Sequence, residues 1–205
     1  MNIDAIMRLS PVIPVLVVHD AAQARPLAEA LVAGGLRVLE VTLRTPAALE
    51  VIAEMAKVEG AVVGAGTVLN EQHLQQSIDA GAQFIVSPGL TEGLGRAAVA
   101  SGVPFLPGIA NSGDIMRGLE LGLERFKFFP AIASGGLPTL SALAGPFGAV
   151  RFCPTGGITL QNAPDWLAHP SILCVGGTWL VPAGEPDYAR VTELAAEAAA
   201  LRPAA

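Results

Sequence analysis

Lysine, cysteine, aromatic residues and charge are all scarce in this chain of 205 residues. Charged residues make up 15% and hydrophobic residues 52%, with a mean hydropathy of +0.53. That composition excludes a disordered chain and supplies a sizeable apolar core. Aromatics are only 5%, so the core is expected to come mainly from Val, Leu, Ile and Ala. Twelve Lys and Arg stand against eighteen Asp and Glu, a net charge of −6. The basic face that sequence-independent nucleic-acid binding needs is therefore missing. No apolar run reaches the roughly 18 residues of a membrane span. The opening stretch MNIDAIMRLSPVIPVLVV carries Asp4 and lacks a basic region followed by a small-residue cleavage site. A cytoplasmic protein without membrane contact is expected. The three histidines, His19, His73 and His169, show no HxH or HExxH spacing, so neither a metal nor another cofactor is implied. Cys153 and Cys174 sit in apolar stretches and read as small core residues, not as a disulfide framework.

What is present is a strict alternation. Apolar runs at Val12–Val18, Val38–Thr42, Ala61–Ala65, Phe84–Ser87, Pro104–Pro107, Arg125–Phe128, Ala149–Cys153 and Ile172–Val175 read as strands. Most are continuous runs and not alternations, which suits a parallel sheet buried on both faces. Helical segments separate them: Ala21–Ala33 (regular from about Pro26), Pro46–Val58 (capped by Thr45), Glu71–Ala80, Thr91–Ala100, Ser112–Leu121, Leu137–Ala144, Asn162–Ala168 and Asp187–Leu201. Several of these end at glycine. Eight such units, with no linker composition between them, predict a single α/β domain over residues 1–205, a compact (β/α)8 TIM barrel. Ile3–Leu9 reads as a short extra N-terminal helix across the barrel bottom. In such a barrel chemistry sits at the C-terminal ends of the strands.

The candidate residues cluster at those ends. Lys127, one of only two lysines, lies in Arg125-Phe126-Lys127-Phe128-Phe129-Pro130. Strand alternation turns it away from Phe126 and Phe128, into the barrel. Desolvation disfavours the charged form of a lysine, and a neutral amine is what Schiff-base chemistry requires. A snorkelling lysine or an ion pair with a buried carboxylate is the alternative. Glu40, in Val38-Leu39-Glu40-Val41-Thr42, shares a face with Val38 and Thr42, and an unpaired carboxylate there costs several kcal/mol. It can transfer protons at a substrate carbon, or serve as a structural partner of Lys127 or Arg44. Arg44 offers a fork for a substrate carboxylate or is a surface residue. Thr67 follows Gly64-Ala65-Gly66, where glycine admits a ligand and the hydroxyl can donate. Thr155-Gly156-Gly157 and Gly176-Gly177-Thr178 follow the last two strands, where barrels form phosphate sites from backbone N–H groups at helix starts. Two tight turns are the alternative. Unaided, these residues describe an enzyme without cofactor that performs carbon–carbon chemistry on a phosphorylated 2-keto acid through an imine.

Glu40-Val41-Thr42-Leu43-Arg44-Thr45-Pro46, Gly64-Ala65-Gly66-Thr67-Val68-Leu69, Val86-Ser87-Pro88-Gly89, Arg125-Phe126-Lys127-Phe128-Phe129-Pro130-Ala131, Arg151-Phe152-Cys153-Pro154-Thr155-Gly156-Gly157-Ile158 and Val175-Gly176-Gly177-Thr178-Trp179-Leu180 closely resemble the 2-keto-3-deoxy-6-phosphogluconate (KDPG) and 4-hydroxy-2-oxoglutarate aldolase family, across nearly the whole chain. The resemblance implies a class I aldolase, a lyase, with Lys127 as the Schiff-base residue and Glu40 as the general acid and base. It assigns Arg44 and Thr67 to the pyruvate carboxylate, with Pro88 and Phe129 lining that pocket. Gly156, Gly157, Gly177 and Thr178 match the phosphate end, and Thr155 a position tied to stereochemistry. It further implies a homotrimer in the Entner–Doudoroff route. The products would be pyruvate and glyceraldehyde 3-phosphate, with possible turnover of 4-hydroxy-2-oxoglutarate to pyruvate and glyoxylate. Position 178 is Thr where many relatives carry Ser, and position 132 is Ile where an acidic residue is expected. Gly108-Ile109-Ala110-Asn111-Ser112 also departs from the commonest loop. A galactonate-epimer aldolase and a phosphate-sugar isomerase or epimerase barrel are the alternatives.

Overall fold

Every strand of the computed structural model that pairs does so in parallel, and helices separate the strands along the chain, except for two short strands that flank Pro107. Residues 1–182 and 184–201 are described. In chain order the elements are α1 (Ile3–Arg8), β1 (Val12–Leu16), α2 (Ala24–Ala33), β2 (Val38–Thr42), α3 (Ala48–Met55), β3 (Val62–Gly66), α4 (Glu71–Asp79), β4 (Phe84–Val86), α5 (Glu92–Ser101), β5 (Phe105–Leu106), β6 (Gly108–Ile109), α6 (Ser112–Glu120), β7 (Arg125–Phe128), α7 (Gly136–Ala144), β8 (Arg151–Pro154), α8 (Ala163–Leu167), β9 (Val175–Gly177) and α9 (Tyr188–Ala199). No described helix is long and apolar enough to cross a membrane.

The strands form a curled α/β sheet in two hydrogen-bonded pieces, ordered β5-β4-β3-β2-β1-β9 and β6-β7-β8. Pro107 separates β5 from β6. A proline has no N–H for the ladder, so the expected strand Pro104–Pro107 is cut to β5, and β6 forms beyond it in a stretch expected as loop, the two lying in different pieces. The Pro107 carbonyl still accepts from Lys127 N at 2.8 Å. At the other side, single bridges pair Phe152 with Ile172 and Thr155 with Gly176.

Alternation along each strand sorts the side chains into two apolar layers. Leu39, Val41, Val63, Ile85, Phe126, Phe128 and Phe152 face the helices. Ile13, Val38, Val62, Phe84, Val86, Leu106, Cys153 and Cys174 face the concave side, where Ile6 and Met7 of α1 pack with them. The concave layer is therefore apolar at its base, and polar groups enter only higher up the strands.

Several boundaries differ from the sequence reading. β1 stops at Leu16, not Val18, because side chains replace the ladder there. Thr42 Oγ1 donates to the Leu16 carbonyl at 2.8 Å, and Thr45 Oγ1 to that of Val18 at 2.6 Å. Thr45 is thus engaged with β1 and does not cap α3, whose cap position is Ala47. α2 begins at Ala24 after a 3-10 turn at Ala21–Gln23, leaving Pro26 in the first turn, where N–H groups have no intrahelical acceptor. The last strand runs Val175–Gly177, because its partner β1 begins only at Val12; Ile172 makes one bridge.

α1 is tied to β7 by charge. Asp4 accepts from Arg8 Nε at 2.8 Å and from Arg125 Nε at 2.6 Å. Partial burial pushes the Asp4 carboxyl up, but these two guanidinium groups outweigh it and hold it below the ordinary carboxylate value. A depressed folded-state value contributes stability above the unfolded value and loses it as pH falls through the folded one. Asp4→Asn is expected to lower the Tm at pH 7 by about 2–4 °C, the effect of ~1 kcal/mol in a chain of this length. Thermal melts at decreasing pH should show that difference shrink through the carboxylate range. A difference that persists unchanged in strong acid contradicts the assignment.

Candidate active site

Glu40 and Lys127 lie on strands that do not pair with each other. Glu40 sits between Val15 of β1 and Gly64 of β3, and Lys127 between Gly108 of β6 and Cys153 of β8. Their side chains meet across the concave face. Lys127 Nζ donates to Glu40 Oε1 at 2.9 Å and lies 3.3 Å from Oε2, with side-chain exposures of 6% and 4%. Sequestered charges of this kind are tolerated only when paired and hydrogen-bonded. The ion-pair reading and the catalytic reading of the sequence thus converge on one geometry: a nucleophile with a carboxylate in hydrogen-bond contact. The Phe129 ring, half-buried just beyond β7, stands with its centroid 5.5 Å from Nζ and adds a cation–π contact. The other lysine, Lys57, is exposed and pairs with Glu54.

Two free, buried thiols lie near this pair: Cys153 is the ladder partner of Lys127, and Cys174 neighbours Cys153. Burial pushes Cys174 well up, and the neighbouring Cys153 and the Glu40 charge push in the same direction. Cys174 is held protonated, hence a packing residue and not a nucleophile.

A second group stands where β2, β3 and β4 end. Arg44 Nε donates to Thr67 Oγ1 at 3.2 Å, joining the fork and the hydroxyl that the sequence singled out separately. Thr67 has φ +60°, a left-handed conformation uncommon for a β-branched residue and of the kind that concentrates at functional sites. The adjoining backbone is fixed by Leu43 N donating to Gly66 O at 2.8 Å and Val68 N to Val86 O at 3.2 Å. Pro88 is half-buried beyond β4, and the backbone of Pro88-Gly89 presses on Gly108: a Cβ there would lie 2.7 Å from Gly89 N.

The third group lies beyond β8 and β9. Gly156 and Gly157 have φ +102° and +79°, two successive left-handed residues that only glycine adopts freely. The bridge from Thr155 to Gly176 sets this turn beside the end of β9. Thr155 is buried, and a Cβ on Gly176 would lie 2.9 Å from its Cγ2, so that glycine makes room for it. The turns do not open directly onto helices, as the sequence reading expected. α8 begins only at Ala163 and has five residues, and β9 runs into a turn at Trp179. Any anion bound here would be met by loop N–H groups. Gly177 is not left-handed; its bare face lies against the Trp179 ring. Thr178 is exposed and lines a cavity of about 520 Å³ with Val17, His19 and Gln23, which Glu40 and Lys127 do not line. Exposed Ile132 lies over Gly157, its Cβ 3.0 Å from where a Gly157 Cβ would be.

Sequence reasoning missed Asn162. Its Nδ2 donates to the Gly157 carbonyl at 3.0 Å while its Oδ1 accepts from Thr159 N at 2.8 Å, clamping the glycine turn. Nothing in its local pattern beyond a helix-start asparagine distinguishes it. It read Gly66 as admitting a ligand and Gly176 as part of a phosphate turn, and missed that they make room for the side chains of Glu40 and Thr155.

Residues 3–194 match the family model for KDPG and KHG aldolase. The 2-dehydro-3-deoxy-phosphogluconate aldolase of Zymomonas mobilis is 63% identical over 204 residues, covering 100% of this chain and 98% of that protein. The KHG/KDPG aldolase of Escherichia coli is 55% identical over 199 residues, covering 95% of this chain and 93% of that protein. A crystal structure of KDPG aldolase from Legionella pneumophila, with pyruvate captured at low pH as a covalent carbinolamine intermediate, superposes with a TM-score of 0.95 at 43% identity, covering 98% of this chain and 99% of that one. With its buried lysine–carboxylate pair and this likeness over nearly its full length, the chain belongs to the KDPG and KHG aldolase family.

Proposed function

We propose that the chain cleaves 2-dehydro-3-deoxy-6-phosphogluconate to pyruvate and D-glyceraldehyde 3-phosphate through a Schiff base on Lys127. The observation that carries this reading is the buried contact of Lys127 Nζ with both Glu40 oxygens. The Lys127 ammonium gives up one proton and, as the neutral amine, adds through Nζ to the C2 carbonyl carbon, whose oxygen takes up a proton, giving a carbinolamine of the kind captured in the Legionella relative. The former carbonyl oxygen leaves as water, and the protonated imine becomes an electron sink. Glu40 takes the C4 hydroxyl proton, the C3–C4 bond breaks, and its electron pair passes through C3 to the imine nitrogen. The aldehyde departs, and the resulting enamine is protonated at C3 by the proton that Glu40 holds. Hydrolysis then releases pyruvate and restores the amine. The same enamine accepts glyoxylate in the reverse direction, giving 4-hydroxy-2-oxoglutarate, the activity named in the E. coli relative.

The remaining groups take their places along the substrate. Arg44 and Thr67 hold the carboxylate, with Pro88 and Phe129 as the walls of the pyruvate pocket. The N–H groups of Gly156, Gly157 and Gly177 and the Thr178 hydroxyl receive the phosphate, and Thr155 faces the aldol carbon. The scaffold of this reading is one (β/α)8 barrel. The continuity of β5 with β6 through Pro107 and the β8–β9 bridges support closure of the two sheet pieces into a ring. α1 covers its base. A cytoplasmic homotrimer serving the Entner–Doudoroff route completes the proposal. The free, buried thiols suit a reducing compartment. Exposed Val99, Met116 and Leu119 on α5 and α6 offer apolar area for contact between copies.

Incubation with pyruvate and borohydride is expected to add one reduced pyruvate to Lys127 and none to Lys57, read by intact mass and peptide mapping. Lys127→Ala should lose both adduct and cleavage; cleavage that survives this substitution overturns the imine mechanism. Glu40→Gln should keep the adduct while lowering turnover by about 10²–10⁴-fold, the usual worth of a positioned general base. For the phosphate end, Gly157→Asp places a carboxylate among the anion-binding N–H groups. It should raise KM for the phosphorylated substrate on the order of tenfold or more, one such contact being worth ~1.5–3 kcal/mol. Exchange of the pyruvate methyl hydrogens with solvent should be unaffected. Equal loss in both assays argues against a phosphate site at this turn.

A further inference from the structure

We propose that Gly66 is a positioning residue for proton transfer: its bare Cα is the seat that holds the Glu40 carboxylate over the reacting carbon. This deepens the aldolase reading and rests on it. Glu40 starts opposite Gly64 in the β2–β3 ladder, and its side chain runs along β3 to the level of Gly66. A methyl group on Gly66 would lie 2.7 Å from Glu40 Cγ and 2.9 Å from Cδ, and closer still to Oε1. All three of the nearest atoms belong to this one side chain. The glycine is not there for its backbone: its φ lies outside the left-handed region. Alanine at 66 is therefore unstrained in the main chain, and its whole cost falls on the carboxylate.

The other strand glycines serve different neighbours. A Cβ on Gly64 would meet the Phe84 ring, and one on Gly108 the backbone of Pro88 and Gly89. One on Gly176 would meet Thr155 and one on Gly177 the Trp179 ring, so Gly66 alone of these faces the carboxylate proposed to transfer the proton. The carboxylate has little else to locate it. Among the described residues its hydrogen-bond partner is Lys127. That partner changes during turnover, since an imine or enamine nitrogen cannot offer the donors of an ammonium. At the moment when Glu40 must deliver a proton to C3, steric seating on Gly66 is the constraint that persists. Displacement of a reacting group by about 1 Å costs on the order of a hundredfold in rate.

The test compares wild type, Gly66→Ala, Glu40→Asp and the double variant by three readouts. These are the borohydride adduct on Lys127 after prolonged incubation with pyruvate, hydrogen–deuterium exchange of the pyruvate methyl group followed by NMR, and the Tm. Adduct formation reports the lysine, and exchange reports the carboxylate. Gly66→Ala is expected to retain the adduct while exchange falls on the order of a hundredfold. Glu40→Asp alone should slow exchange, because the carboxylate withdraws by one methylene. Added to Gly66→Ala it should instead speed exchange, because the shorter side chain clears the methyl group. That reversal of sign is what a direct contact produces and an independent structural defect does not.

Adduct and exchange falling in parallel in Gly66→Ala, or losses that simply accumulate in the double variant, overturn the proposal. Should Gly66→Ala fail to fold, Glu40→Ala/Gly66→Ala replaces it. With the carboxylate gone the methyl group has space, and the double variant should melt within a few degrees of Glu40→Ala alone. A double variant that also fails to fold overturns the proposal. Wild-type protein that forms no adduct and exchanges no hydrogens would instead refute the aldolase reading itself, a result distinct from failure of the seat.

Discussion

A carboxylate and an ammonium sealed inside an apolar sheet each lose several kcal/mol of hydration, and they survive only if each becomes the other's solvent. Glu40 and Lys127 meet that requirement from strands on opposite sides of the concave face. The arrangement is possible because a parallel sheet curls. In a flat sheet β2 and β7 would be too far apart for any side chain to bridge. The curl brings them within one hydrogen bond, and the apolar base formed by Ile6, Met7, Phe84 and Leu106 keeps water from entering below. Removing either partner leaves the other charged and unpaired. The pair therefore links folding to chemistry: the geometry that makes the charges tolerable also places a base beside a nucleophile.

Around this pair, polar groups are distributed by height along the strands. Val38 lies low on the concave face, Glu40 and Lys127 higher, with Cys153 on the rung beside Lys127, and Arg44, Thr67, Gly157 and Thr178 beyond the strand ends. From the strand ends inward, hydrogen-bonding groups come first and the buried Lys127–Glu40 pair last. The one described non-glycine residue with a left-handed φ, Thr67, stands at this same end. The left-handed Thr67 and the successive left-handed Gly156 and Gly157 are all in loops that follow strands. The regular sheet beneath supplies the rigidity that holds such conformations in place.

Much of this was legible in the sequence because it depends on local rules. Continuous apolar runs marked buried parallel strands, and two-residue alternation put Val38, Glu40 and Thr42 on one face. Scarcity of lysine drew attention to Lys127 before any geometry was known. Strand ends were less legible, since they depend on partners. β1 ends early because Thr42 and Thr45 reach across to its carbonyls, and Thr45 was misread as a helix cap for the same reason. Pro107 ended one expected strand and a second short one formed beyond it, where a loop was expected, a consequence of a missing N–H that local hydrophobicity conceals. The clamp made by Asn162 could not be read at all, and Gly66 and Gly176 were read as sites of ligand approach and not as room for Glu40 and Thr155. A glycine that makes room for a neighbour's side chain is identified only when the neighbour's path is known.

The central claim is that one amine, Lys127, becomes covalently attached to substrate while Glu40 stays within reach of the carbon that gains and loses the proton. A crystal structure of the protein soaked in pyruvate tests this most directly. The account predicts continuous density from Lys127 Nζ to pyruvate C2, the Glu40 carboxylate facing the pyruvate methyl carbon, and the pyruvate carboxylate at Arg44 and Thr67. Pyruvate bound without a bond to Lys127, or bound covalently with Glu40 turned away from the methyl carbon, would contradict it.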